Sequence, residues 1–351
     1  MITDLRLQNF RSYKDSSFEL SQGVNIIVGP NASGKTNLLE AILVTSKGGS
    51  YRAKDIDLIK FAEPWARIDI NTLKTGSRTV KLFKEETPSK IFELEGKTHK
   101  RLTRTQSLPV VIFEPNHLQL LSGGPERRRD YLDDLLEQTT TGYGALRRQY
   151  RRTVAQRNSL LKQPPSNNHS NIFPWNIRLS ELAGQIVRAR EQITQQINTE
   201  IGPLYKKLSK SKTDVSIKYQ NRWPSEQYET KLLKELDSSL TTDITRGFTS
   251  AGPHREDLIV LFDGHPASET ASRGETRTTI LALKIIELKT IESVRQTTPI
   301  LLLDDVFSEL DGKRRHALTD YLAPYQTFIT TTDADLVIKN FTQKCNIIAL
   351  T

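Results

Sequence analysis

Residues 2–9 alternate apolar and polar side chains with a period of two, the pattern of a half-buried strand. After a turn at Asn9-Phe10-Arg11-Ser12-Tyr13, residues 17–20 repeat it more briefly. Val24-Asn25-Ile26-Ile27-Val28 breaks the alternation. Four of its five side chains are apolar, as in a strand buried on both faces of a parallel sheet. Residues 38–44 (LLEAILV) combine helix formers with apolar helical spacing. Beyond Gly48, Gly49 and a polar loop, residues 66–73, 78–84 and 91–95 alternate again. Gly76, Pro88 and Gly96 separate these segments, which predict an antiparallel meander. Residues 108–113 (LPVVIF) predict one more strand.

The period then becomes helical. Residues 125 to about 162 are polar, Arg-rich and helical in spacing, until Pro164, Pro165, Ser166 and two asparagines interrupt them. A second helical pattern covers roughly 175–209, so the pair predicts a helical hairpin. A strand at 214–219 and a helix at 225–238 follow. The chain ends in α/β rhythm, with strands at 258–262, 299–303, 327–331 and 346–350 and helices at 275–294, 312–322 and 335–339. Neither terminal stretch has enough strands for a parallel sheet, so the two must complete one together. The expected fold is α/β: a discontinuous head, 1–121 and 246–351, with an antiparallel β meander, and an inserted helical lobe at 122–245.

A length of 351 residues supports two lobes rather than one core. With 36% hydrophobic residues and no apolar run near 18 residues, a membrane-spanning helix is not expected. The start, MITDLRLQNF, lacks the form of a signal peptide. Cys345 is the single cysteine, which excludes an internal disulfide and a multi-cysteine metal site. Its strand-like surroundings place it in the core, and the expected location is the cytoplasm. Lys and Arg total 50 against 41 Asp and Glu, a net +9 that favours a polyanionic partner such as DNA or RNA.

The chemistry concentrates in Gly29-Pro30-Asn31-Ala32-Ser33-Gly34-Lys35-Thr36-Asn37, which fits G-x-x-x-x-G-K-[ST]. The two glycines let backbone N–H groups wrap a phosphate chain, Lys35 reaches the outer phosphates and Thr36 can ligate Mg²⁺. The loop lies between the 24–28 strand and the 38–44 helix, whose N-terminal dipole favours an anion. Ile300-Leu301-Leu302-Leu303-Asp304-Asp305 is a buried strand ending in two acids. Asp304 fits the Mg²⁺-linked carboxylate, and Asp305 the general base for the attacking water. Ser272-Arg273-Gly274-Glu275 precedes the 275–294 helix and suits the ABC-class signature, which completes a partner's site in trans. The plainer reading is an N-cap by Ser272. Leu121-Ser122-Gly123-Gly124-Pro125 looks closer to the transporter signature, but a whole lobe separates it from Asp304, and Pro125 suits a helix start.

In this order, GPNASGKTNLLEAI, LSGGPERRRDYLD, SAGPHREDL, SRGE and LLLDDVFSELD resemble the RecF family of bacterial recombination-mediator ATPases, SMC-like members of the ABC class. The resemblance spans nearly the whole chain and implies an ABC-class P-loop ATPase head. It implies a homodimer formed on ATP, with DNA, duplex or at a single/double-strand junction, as substrate. It further implies action with RecO and RecR to help load RecA in DNA repair. Carried onto this sequence, it gives Gly29, Gly34, Lys35 and Thr36 the phosphate loop, Ser272, Arg273 and Gly274 the signature, and Asp304 and Asp305 the acidic strand. Asp311 takes the loop that reads the partner subunit. Glu275 departs from the family's Gln, the metal-sensing position in Glu114-Pro115-Asn116 is ambiguous, and Thr330-Thr331-Thr332-Asp333 lacks the transporter's switch His. Weak ATP turnover is expected, and His254 reads as a structural turn residue.

The main rival is an ABC transporter ATPase subunit, opposed by the long insertion, the missing His and the basic balance. A full SMC-like protein would need hundreds of heptad residues, and a P-loop kinase would not need residues 272–275. For DNA, Arg127, Arg128 and Arg129 form one cluster and Arg147, Arg148, Arg151 and Arg152 another, with Arg148 and Arg152 on one helical face. The competing reading pairs these arginines with Asp130, Asp133 and Asp134. Arg52 and Lys54 are the next candidates.

Overall fold

In the computed structural model, which describes residues 1–163, 169–339, 341 and 345–351, the chain forms two compact units. The first holds Met1–Leu118 and Glu287–Thr351, and the second Gln119–Ile286.

The first unit opens with β1 (Ile2–Phe10) and β2 (Tyr13–Glu19), paired antiparallel. β2 begins four residues earlier than its pattern predicts. It is an edge strand that buries only Tyr13, so Lys14 to Ser17 carry no alternation. β3 (Val24–Val28) leads through the glycine loop into α1 (Lys35–Lys47). β4 (Trp65–Thr72), β5 (Gly76–Phe83) and β6 (Ser89–Leu94) form the predicted meander, extended by the short edge strand β7 (Lys97–His99). β8 (Val110–Phe113) completes the N-terminal part of this unit.

The second unit starts with α2 (Pro125–Thr139), whose first residue is the predicted Pro125. α3 (Tyr143–Leu161) is a separate helix because Gly142 takes φ +84°, a left-handed conformation in which glycine avoids a Cβ clash. α4 (His169–Ser209) is longer than predicted; the predicted connection at 164–168 lies outside the described residues. Buried residues Ile172, Asn176, Leu179, Ala183, Ile186 and Arg190 advance in steps of three and four, the spacing of one helical stripe, and α4 contacts α2 and α3. β9 (Val215–Gln220), α5 (Tyr228–Ser238), α6 (Leu240–Arg246), β10 (Asp257–Phe262), β11 (His265–Pro266), α7 (Ala267–Thr270) and α8 (Arg273–Arg295) follow. The inserted unit therefore runs to Ile286 rather than 245, and it is not purely helical. β10 pairs along its length with β9, which ties 257–262 to the insertion.

The chain returns to the first unit within α8, then adds β12 (Ile300–Asp304), α9 (Val306–Glu309), α10 (Gly312–Leu322), β13 (Thr327–Thr331), α11 (Ala334–Ile338) and β14 (Asn346–Ala349). The five-stranded sheet runs β14-β3-β13-β12-β8, with every pair parallel. Both ends of the chain supply its strands, as the strand count requires. α1 contacts strands of this sheet and of the antiparallel sheet, and ten of its 13 residues are buried. A helix buried on most of its circumference needs partners on more than one side. The Gln326 side chain, just before β13, joins the two sheets at the start of β1, accepting from Ile2 N at 2.7 Å and donating to Ile2 O at 2.6 Å.

Buried polar groups hold the second unit together. Arg157 is fully buried and donates to Asp243, Asn176, Thr249 and the Leu236 carbonyl. Arg190 makes a two-point contact with Asp133 and reaches Tyr219 and the Pro253 carbonyl. His254, read from sequence as a turn residue, donates from Nε2 to the Thr249 carbonyl and accepts from Tyr150 at Nδ1. Burial lowers its pKa to about 4, which keeps the ring neutral and structural.

Candidate nucleotide site

Parallel register brings the C-terminal ends of four strands together. Val28 lies beside Thr331, Thr330 beside Asp304, and Leu303 beside Phe113. Ligands of open α/β sheets bind at this edge. The loop 29–34 leaves β3 here, Asp304 ends β12, and Thr330 is the last residue but one of β13.

Both glycines of the loop are required by space. A Cβ on Gly29 would lie 2.6 Å from the Leu350 carbonyl oxygen and from Ser33 Oγ. Gly34 has φ +102°, and a Cβ there would meet Ser12 Oγ at 2.9 Å. The Tyr13 hydroxyl donates to the Gly34 carbonyl at 3.1 Å, fixing the loop's last turn to β2. Lys35 is 5% exposed, and its ammonium spans the loop to the carbonyls of Gly29 (2.8 Å) and Pro30 (3.0 Å). No carboxylate pairs with it among the described residues. Ser33 Oγ is buried without a hydrogen-bond partner. A buried cation with no carboxylate in ion-pair contact among the described residues, an orphan hydroxyl and two glycines that no larger residue can replace together fit a polyphosphate.

Asp304 is 6% exposed and held by three hydroxyls. Thr36 Oγ1 (2.9 Å) and Thr330 Oγ1 (2.8 Å) donate to Oδ1, and the Tyr51 hydroxyl (3.2 Å) donates to Oδ2. A threonine hydroxyl and one carboxylate beside phosphates suit Mg²⁺, which keeps several waters and few protein ligands. Among the described residues no cluster of three or more His, Cys, Asp or Glu could hold a metal alone. Asp305 follows with φ +50°, a left-handed conformation uncommon outside glycine, and its N–H donates to Thr330 Oγ1 at 2.9 Å. Burial and the Asp304 charge raise its pKa, against the opposing charge of Lys35. A carboxyl held above its usual range is a better proton acceptor.

A second layer escaped the sequence reading. Glu40 on α1 is fully buried and binds Arg11 (2.9 and 3.0 Å), Arg52 (3.1 Å) and the Ser50 hydroxyl. Burial alone would raise its pKa, but these donors outweigh burial and hold it low. Asn37 joins the layer, accepting from Arg52 at 2.8 Å and donating to Ser12 at 3.0 Å. A lone acid inside the apolar run 38–44 was the available signal. For Thr330 it was a threonine pair at the end of a buried strand.

Several of the remaining candidates have local partners of their own. Ser272 and Glu275 form a reciprocal capping box at the start of α8, with Ser272 Oγ accepting from Glu275 N (3.2 Å) and Glu275 accepting from Ser272 N (2.8 Å). Asp311 caps α10 by accepting from Arg314 N at 2.9 Å. Of the arginines, Arg128 pairs with Asp257, Arg129 donates to the Glu256 carbonyl, and Arg151 lies near Asp130. Arg147 is buried among Asp130, Asp134 and Glu137. The pairing alternative therefore holds for Arg147 and Arg151, while Arg128 and Arg129 are held by Asp257 and the Glu256 carbonyl instead. Arg148 and Arg152 are exposed, and neither has an ion pair among the described residues. Cys345 is half-buried beside β14 rather than in the core.

Comparison with known proteins identifies the relatives of the whole chain. The RecF/RecN/SMC N terminal domain family matches residues 1–349. The DNA replication and repair protein RecF of Lachnoclostridium phytofermentans is 34% identical over 346 residues, 97% of this chain and 95% of its own. That of Tropheryma whipplei is 35% identical over 344 residues, covering 95% and 92%. Among solved structures, the recombination mediator protein RecF-ATPrS in the RecFOR pathway superposes with a TM-score of 0.89 at 30% identity, covering 100% of this chain and 97% of that one. An Smc head bound to the C-winged helix domain of ScpA, at 18% identity and TM-score 0.55, shares the fold. The transporter reading finds no support in these relatives. From its phosphate loop to its last strand, this chain belongs to the RecF family.

Proposed function

We propose that the chain is a slow, Mg²⁺-dependent ATPase of DNA replication and repair that closes as a homodimer on DNA when ATP binds. The observation that carries this reading is a glycine loop holding Lys35 on two backbone carbonyls rather than on a carboxylate, and Ser33 without a partner, beside the Thr36–Asp304–Thr330 cluster. Residues 29–37 bind the phosphates, and Thr36 and Asp304 hold Mg²⁺, which supplies charge neutralisation at the phosphoryl group. Asp305 takes the proton of the attacking water. Ser272, Arg273, Gly274 and Glu275 serve the partner copy's nucleotide in trans, and Asp311 reads that partner. Arg148 and Arg152 contact DNA phosphates. The family relation supports RecR and RecO as partners, with RecA loaded indirectly, and a cytoplasmic setting; among the described residues no helix is long and apolar enough to cross a membrane.

Sedimentation with ATP, ADP or no nucleotide, with and without duplex DNA, tests this. Dimers are expected with ATP and more so with DNA. In Ser272→Arg, ATP should still bind while dimers fail to form, because the long cation takes the partner phosphate's place. Dimerisation that ignores ATP would overturn the proposal.

A further inference from the structure

Tyr51 has no task in phosphate-loop chemistry, yet it touches the metal-linked carboxylate. It lies between Gly48, which ends α1, and Asp55. Its ring packs against the core of the first unit, and its hydroxyl donates to Asp304 Oδ2 at 3.2 Å. The residues on both sides are pinned to α1. Ser50 Oγ bonds Glu40, and Arg52 bonds Glu40 (3.1 Å) and Asn37 (2.8 Å). Burial and the nearby Asp304 and Glu114 charges raise the Tyr51 pKa, opposed by Arg52, so the hydroxyl stays protonated and a donor.

Counting lone pairs gives this contact its meaning. A carboxylate has about four acceptor positions, two on each oxygen. Thr36 and Thr330 take both positions on Oδ1. On Oδ2, Tyr51 takes one and leaves one open. The open position is where Asp304 can meet a cation or a cation-bound water, and Tyr51 fixes which of the two it is. Without that hydroxyl the carboxylate is restrained at one oxygen only.

Building on the Mg²⁺–ATP reading, we propose that Tyr51 is a positioning residue for the divalent cation, orienting Asp304 Oδ2 from a strap anchored on α1. Outer hydrogen bonds to metal ligands typically carry about 10- to 100-fold of metal affinity. Because Thr36 and Thr330 still satisfy Asp304, the cost of losing Tyr51's hydroxyl falls on cation binding rather than on folding.

The experiment is a Mg²⁺ titration of ATP binding by calorimetry on the full chain, with ATP in EDTA as the metal-free arm. Tyr51→Phe should raise the half-saturating Mg²⁺ roughly 10-fold, leave ATP affinity in EDTA unchanged and melt within a few degrees of wild type. A half-saturating Mg²⁺ within twofold of wild type, or lower, overturns the inference. Asp304→Asn separates the two levels. If it loses Mg²⁺ dependence while Tyr51→Phe behaves as wild type, only the role of Tyr51 fails. If Asp304→Asn keeps wild-type Mg²⁺ dependence, the metal site itself is wrong and the inference falls with it.

Discussion

Replacing Lys35 by Met removes one charge and keeps most of the side chain's length. At roughly 4 Å from a phosphate oxygen and an effective dielectric of about 20, that charge contributes about 4 kcal/mol. The gain is not all net. Before ATP arrives the ammonium already holds the carbonyls of Gly29 (2.8 Å) and Pro30 (3.0 Å), and it must give these up. Charge-assisted hydrogen bonds net about 1.5–3 kcal/mol, so the expected loss is about 2–3 kcal/mol, or roughly 30- to 150-fold in ATP affinity. Stability should move the other way. Lys35 is a buried cation without an ion-paired carboxylate among the described residues, and its desolvation is only partly offset by two carbonyls and the charge of Asp305. Lys35→Met should therefore melt at or above the wild-type temperature without nucleotide. Calorimetry of Mg²⁺–ATP binding and a thermal melt on the same sample measure both. A folded variant with ATP affinity within threefold of wild type would refute the site, and a much lower melting temperature would refute the desolvation argument.

Asp305→Asn should keep ATP affinity and lose about 10²- to 10⁴-fold in hydrolysis. Steady-state turnover beside calorimetric ATP binding checks both, and wild-type turnover in the variant would remove Asp305 from catalysis. Arg148→Glu with Arg152→Glu should weaken DNA binding for all sequences and flatten the log–log salt dependence by roughly 0.9 for each phosphate no longer neutralised, with ATP binding unchanged; if affinity and slope both stay, the basic surface lies elsewhere and Arg52 and Lys54 come next. Asp243→Ala leaves the fully buried Arg157 without its counter-charge, at a cost of about 3–5 kcal/mol; a urea transition shifted by less than about 1 kcal/mol would show that Asn176, Thr249 and the Leu236 carbonyl suffice.

The most legible parts of the chain were those whose physics is local. The apolar run 24–28, the glycine loop and the helix formers after it lie in one short segment, and each signal describes its own neighbours. The start of α2 at Pro125, β13 at 327–331 and α10 at 312–322 were readable for the same reason. Where one face of an element is solvated, or its partner is remote, the signal faded. β2 and β7 are edge strands with few buried side chains, so neither shows its true extent as alternation. Arginine clusters on the 125–162 stretch looked alike, yet Arg147 is buried among acids while Arg148, one residue on, is exposed.

That a glycine-lysine loop, an acidic strand and a long insertion share one chain is legible from the residues in order, because spacing and composition carry those statements. Tertiary structure alone decided that Thr330 and Tyr51 join Thr36 on Asp304, 26, 253 and 268 residues away from it. It also decided that Glu40 gathers Arg11 and Arg52, and that β10 belongs with β9 rather than with the head. The physical reason is that a hydrogen bond or an ion pair is set by distance in space. Strand order and register fix that distance, and they follow from packing across the whole unit rather than from any single stretch.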